Sequence, residues 1–483
     1  MEQSAHDTTP RHERDEAVNT MAPDTHSGDT TDADEFDAPD LENASDEHLP
    51  SSKRRLETPG SSSSLENLPA ELRDQLLLNA PDLPTLRSLI HASPVMHAQY
   101  RSNRNRLLRA CLGRELDGFF VDAYACLMSR VRALGPVRTD EKITVFLDAY
   151  RWWLSGSSPL ADLDSVDPGY VRWLTAYHLS VARPLARRYS TWALANLVQA
   201  TSSSADQEAA ETAVAAGDQD MTLSRSEEIR IFRALYRYET YCHLFGRNQG
   251  KRQGGFRHHE INEIFFCLFE PWEAEAVGCI DLFVRQRYED IFDEVKGDLH
   301  PTNPRFRLAN GTFNPEGSFD LDGERNDYMD GTVSRGLKMT VRLLAIDDHG
   351  TLVDKMQRCL THHHSLDAPM RKALGSVAQS DRREMSVNAR DEAERRRDPI
   401  AFTGDAVPPD GPPLAWVLLW NRTYANIYGE YVPGTVKQWG YVMWDERRWT
   451  ELGAKGLVSK QWEIAPELIE EIENDYDWRP SRC

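Results

Sequence analysis

No run of about eighteen uncharged apolar residues occurs anywhere in this sequence, so no stretch of it is long enough to cross a bilayer as a helix. Basic charge is scarce as well: 56 Lys and Arg face 77 Asp and Glu, a formal net charge of −21. Residues 1–60 hold sixteen of the acids and only five of the bases, a balance of −11 that leaves −10 for everything after them. A surface that is acidic on average repels a phosphate backbone, so nucleic acid is not the expected partner. The seven cysteines, at 111, 126, 242, 267, 279, 359 and 483, have no paired spacing, which suits reduced thiols better than a disulfide framework. With no basic-then-apolar leader at its start, the chain reads as a protein of the cytoplasm or nucleus with no membrane partner. Internal repeats of about 20–50 residues are missing too, which removes leucine-rich, propeller and helical-array platforms.

What is present divides the chain into four parts. Residues 1–64 are rich in Asp, Glu, Ser, Thr and Pro and almost free of large apolar side chains, the composition of a disordered acidic tail. From Leu65 helical periodicity takes over. A three-helix module is expected over 65–115 and a mainly α body over 116–380, with surface insertions near 201–220 and 300–332. Residues 381–483 begin with six Arg against six acids over 381–398, which reads as a solvated helix, followed by the Pro-rich break at 408–413. Seven of the twelve tryptophans then crowd into the last segment, at 416, 420, 439, 444, 449, 462 and 478; rings this large are expected to pack as core against the body. The fold class is mainly α: a short three-helix module, then a large irregular helical domain.

Residues 65–100 read LENLPAELRDQLLLNAPDLPTLRSLIHASPVMHAQY. Leu68, Leu72 and Leu76 recur four apart on one helical face, with Pro69 in the first turn, where its missing N–H costs nothing. Pro81 ends this helix, and Asp82 caps a second that carries Leu83, Leu86, Leu89 and Ile90. Ser93-Pro94 repeats the device for a third, short helix toward Tyr100. A basic connector then carries Arg101, Arg104, Arg106, Arg109 and Arg114, a face expected to be solvated. So small a unit rarely supplies enough core to stand alone, so its apolar faces need either the rest of the chain or a partner.

In Leu68-Pro69-x-Glu71-Leu72, the Leu76-Leu77 pair and Leu86-x-x-Leu89-Ile90-x-Ala92-Ser93, the segment resembles the F-box family, and more closely the F-box-like proteins of filamentous fungi. The resemblance covers about a tenth of the chain. It implies a non-catalytic subunit that docks a Skp-type adaptor of cullin-RING ubiquitin ligases and presents an unknown protein substrate. By resemblance Leu68, Pro69, Leu72, Leu76, Leu86 and Leu89 would meet the adaptor, and Glu71 would support the first turn. Ala80 stands where the family usually has a bulky apolar residue, and Met96 near its common Trp, which would reduce the contact area.

Two other readings compete. The F-box-like fold can serve as an internal structural piece of an interaction protein outside ubiquitin transfer; the difference turns on whether the first helix exposes its apolar face or hides it under residues beyond 115. The other is a metal-dependent enzyme around Cys359 and His362 to His364, helped by Cys242-His243 or His258-His259-Glu260, although no second ligand pair has finger-like spacing. Neither metal nor other cofactor is expected. Asp320, Asp322, Asp327 and Asp330 miss the spacing of a calcium loop and read as a polar surface loop. Glu273 with Glu275, and Asp347-Asp348-His349, lack an accompanying nucleophile motif, so no catalytic residue is assigned.

Overall fold

A computed structural model describes residues 65–157, 163–203, 222–247, 250–307, 316–363 and 366–459. The acidic tail 1–64, nearly all of the stretch 201–220, His364, Trp462, Trp478 and Cys483 lie outside the described residues. The chain is mainly helical, as its periodicity predicts. In order come α1 (Ala70–Leu78), α2 (Leu83–Ala92), α3 (Pro94–Glu115), α4 (Phe120–Met128), α5 (Val131–Leu134), α6 (Asp140–Leu154), α7 (Pro168–Tyr177), α8 (Arg183–Ser203), α9 (Arg225–Phe245), α10 (His258–Ile264) and α11 (Pro271–Leu299). Shorter helices complete the described chain, among them Arg325–Val333, Ser376–Met385, Ala389–Arg395 and Leu414–Leu419. The one strand pair among the described residues joins β1 (Val137–Arg138) to β2 (Lys251–Arg252) in parallel, Val137 opposite Lys251. No described helix is long and apolar enough to cross a membrane.

Ser224 and Glu227 close a capping box that starts α9, satisfying two N–H groups at its first turn. Seventeen of its twenty-one residues are then buried, so α9 is enclosed on every side although it is rich in charge. Each buried arginine on it meets a carboxylate from another element. Arg230 pairs with Asp445 at 2.6 Å and Asp405 at 3.0 Å. Arg233 and Arg237 share Glu273 of α11, at 3.4 and 3.1 Å, and Arg237 also holds Asp122 of α4 at 2.8 Å. Tyr150 of α6 donates to the same Asp122 oxygen at 2.5 Å. Apolar packing fills the space between: Phe119 stacks on Phe232 with ring centres 5.0 Å apart.

The tryptophan-rich segment packs inward over its described part. Trp416, Trp444 and Trp449 are essentially without exposure, and Trp416 meets Trp272 of α11 edge to face. Two expectations fail nearby. The stretch 381–398 is no solvated helix: it breaks at Ser386, Asn388 caps the second half, and Asp391 folds back under Arg382 at 2.5 Å, with Arg382, Arg383 and Asp391 all buried. Spacing offered i,i+4 partners on a surface helix, as for Arg390 with Glu394 and Asp391 with Arg395, whereas the break lets the two halves pair with each other inside. Residues 325–332, placed in a surface insertion, are helical, and Asp330 is buried between Arg285 at 2.7 Å and Arg371 at 3.2 Å. Asp320 accepts the Gly323 N–H at 2.8 Å in a tight turn.

Two consequences are measurable. Asp122→Ala strips Arg237 of one of its two partners in a buried place, and urea unfolding is expected to show a loss of about 3–5 kcal/mol. Glu275 is fully buried, accepting the Gly429 N–H at 2.5 Å; burial pushes its carboxyl up to about 7, against the opposing pull of Lys437 and that N–H. The folded state therefore binds a proton that the unfolded chain, with an ordinary value of 4.5, has already released. Stability should fall as pH rises from 4.5 through 7, by up to roughly 3 kcal/mol from this group, and Glu275→Gln should flatten that slope.

Candidate docking face

The first three helices start as their cap residues dictate. Asp82 accepts the Thr85 N–H at 2.8 Å and Ser93 the Val95 N–H at 3.1 Å, with prolines in both first turns. The expected short third helix and the basic connector are one helix, α3, of 22 residues, kinked at Asn103. At the kink the Asn103 amide donates to Asp74 of α1 at 2.7 Å, and Arg106 reaches the other Asp74 oxygen at 2.8 Å. The basic face is more than solvated charge. Arg114 donates to the Leu78 and Ala80 carbonyls at 2.9 and 2.6 Å, covering the open end of α1, and Arg109 donates to the Leu163 and Val166 carbonyls at 3.1 and 2.5 Å. The guanidinium fork suits such paired carbonyls, but no spacing rule in the sequence announces it.

Inside this unit Leu77, Leu83, Leu86, Ile90, Met96 and Tyr100 are fully buried. Leu86 therefore leaves the expected contact set: it lies on the α2 face with Leu83 and Ile90, and that face packs on α3. Ala80 and Met96 are interior as well, so their small or flexible side chains take nothing from the outer face. Leu68 and Leu89 are half-buried, while Pro69 and Glu71 are exposed. Leu72 and Leu76 stand out: they are 51% and 39% exposed, one turn apart on α1, and Leu65 just before the helix is 50% exposed. Among the described residues, those beyond 115 do not hide this face.

The same unit is nevertheless locked to the body. Glu115, at the end of α3, is buried and accepts the Leu83 N–H at 3.1 Å, with Arg183 and His178 at its other oxygen, the latter at 3.3 Å. Burial raises its carboxyl, but the His178 hydrogen bond, the Arg183 charge and the Leu83 N–H outweigh that and hold it below the usual carboxylate range. His178 sits in the π turn His178–Ala182 between α7 and α8. Complete burial keeps its ring below the ordinary value and neutral, so Nε2–H donates to Glu115 and Nδ1 accepts from the Tyr236 hydroxyl of α9 at 3.0 Å. One carboxylate thus joins the start of α2, the end of α3 and the α7–α8 joint. Nothing in the spacing of Glu115 pointed to this, because its partners lie 32, 63 and 68 residues away.

Among the described residues the other constellations do not assemble. Cys359 is buried, whereas His362 lies beside Glu324 and Asp327 at 3.9 and 3.8 Å; these residues make no common ligand set. Cys242 is buried, and His243 turns to Ser129 at 2.9 Å. Among the described residues the one group close enough for a metal is His258, His259 and Asp381, and there His258 and Asp381 already satisfy each other at 2.8 Å. Glu273 and Glu275 point to separate partners, Arg237 and Gly429, and Asp348 caps a helix by accepting the Thr351 N–H at 2.8 Å. The six described cysteines are free thiols. No family model, curated protein or solved structure matches the chain.

The exposure pattern separates the leucines experimentally. Replacing Leu72 and Leu76 together by Asp should leave the free energy of urea unfolding within about 0.5 kcal/mol of the parent. Leu86→Ala should cost about 2–5 kcal/mol, because it opens a cavity where the side chain is wholly enclosed.

Proposed function

We propose that the chain is a substrate-receptor or scaffold subunit of a cullin-RING ubiquitin ligase, docking a Skp-type adaptor through the outer face of α1. The observation that carries this reading is the exposed Leu72–Leu76 pair, since one turn of helix with two leucines in water is what an apolar groove recognises. Burying the exposed part of each would contribute about 1 kcal/mol. Pro69, Glu71 and Leu65 lie exposed around the pair, and Leu68 and Leu89 add half-buried surface. The rest of the helical body would hold an unknown protein substrate. Such a subunit performs no chemistry itself; it raises the effective concentration of a target lysine near a charged ubiquitin carrier. A cytoplasmic or nuclear setting belongs to the same proposal.

A second reading also has an observation in its favour. The Glu115 joint and the Arg109 contacts bind the first three helices tightly to the body, which suits a unit kept as an internal structural piece of an interaction protein. Titration of the full chain with a purified Skp-type adaptor distinguishes the two. Saturable binding that weakens about 30-fold or more in the Leu72→Asp, Leu76→Asp double variant, at unchanged thermal stability, supports docking. Wild-type protein that does not bind, or a double variant that binds as well as the parent, overturns it.

A further inference from the structure

An acidic chain folds here around a cleft walled by arginine. Between α2, α8 and α11 lies an open cleft of about 1120 Å³, lined by Arg87, Arg183, Arg187, Arg188, Arg287 and His91. Among the described residues no Asp or Glu lines it, in a chain where acids outnumber bases 77 to 56. Part of the charge is balanced: Arg183 by Glu115 from behind, Arg287 by Asp290 on its own helix at 3.3 Å. Arg187 and Arg188, both exposed on α8, form no ion pair among the described residues. Trp192 and Phe283, with ring centres 5.3 Å apart, supply an apolar wall.

Bringing several guanidinium groups together raises the free energy of the empty cleft through like-charge repulsion, and an anion placed among them relieves it. Planar guanidinium forks match phosphate oxygens two at a time. The net charge of −21 repels an extended polyanion, but over a Debye length of about 8 Å the local cations dominate, which favours a ligand small enough to sit within the cleft.

We infer that this cleft is a binding site for a compact, multiply phosphorylated small molecule, held by Arg187 and Arg188 with Arg87 and Arg287 beside them. The ligand bridges α2 of the first three-helix unit to α8 and α11 of the body, so its binding also stabilises their packing. This site is separate from the outer face of α1 and stands whether or not an adaptor docks there.

The test uses the full chain and inorganic tripolyphosphate in calorimetric titration and thermal unfolding, with sodium sulfate at matched ionic strength as the comparison. Saturable tripolyphosphate binding and a raised melting temperature are expected, weakened about ten-fold or more by Arg187→Ala with Arg188→Ala. Both positions are exposed, so the variant should fold; its melting temperature without ligand checks this. A control pair of equal charge change, Arg396→Ala with Arg447→Ala, should bind as the parent does. A nucleoside triphosphate that binds more tightly than tripolyphosphate would extend the site to a base on Trp192. The inference is overturned by absence of saturable binding up to about 1 mM, by an equal loss in the control pair, by sulfate matching tripolyphosphate, or by a phosphopeptide that binds where tripolyphosphate does not.

Discussion

The rest of the structure depends on keeping the arginines of α9 charged inside the protein. A guanidinium cannot shed its proton there, so each one requires a carboxylate at hydrogen-bonding distance. Arg230, Arg233 and Arg237 recur on a helix buried on nearly every side, and their partners come from α4, α11 and the segment beyond residue 400. Glu227 extends the row by holding Arg448 at 2.5 Å. Apolar contact alone would let helices slide or rotate with modest loss. A set of buried ion pairs does not, because a shifted register leaves a bare charge in a dry place.

Glu115 applies the same logic at the joint between the first three helices and the body. Its carboxylate answers the open N-terminus of α2, the neutral His178 in the π turn and Arg183 at the head of α8. The unit is thereby rigidly mounted while the outer side of α1 stays free. Both proposals use that mounting. The proposed docking face turns Leu72 and Leu76 to solvent, and the proposed anion cleft lies where α2 faces α8 and α11. Neither requires a catalytic group; Glu273, Asp348 and Asp391 are each engaged as structural partners.

Legibility in the sequence followed the range of the interactions. The starts of α2 and α3 were readable because Asp82-x-Pro84 and Ser93-Pro94 act within one turn, and the helical class because periodicity is local. The leucines of α1 were readable as a set, but Leu86, on the neighbouring helix, was not distinguishable from them, since spacing shows which residues share a face without showing what lies opposite. The charged stretch 381–398 misled for a related reason: six arginines and six acids pair equally well on a solvated helix or across a break, and burial chose the second.

By itself, then, the sequence determined the helices, their caps, the apolar face of α1 and the acidic balance of the chain, all set by neighbours within about a turn or by composition. Tertiary structure alone decided which charges are interior, which leucines remain in water, and that arginines from three helices share one cleft. The physical reason is that an isolated helix has no low-dielectric side. Asp122, Glu115 and Arg187 acquire their roles only when elements far apart in the sequence, from 32 residues for Glu115 and Leu83 to 115 for Asp122 and Arg237, enclose, or fail to enclose, them.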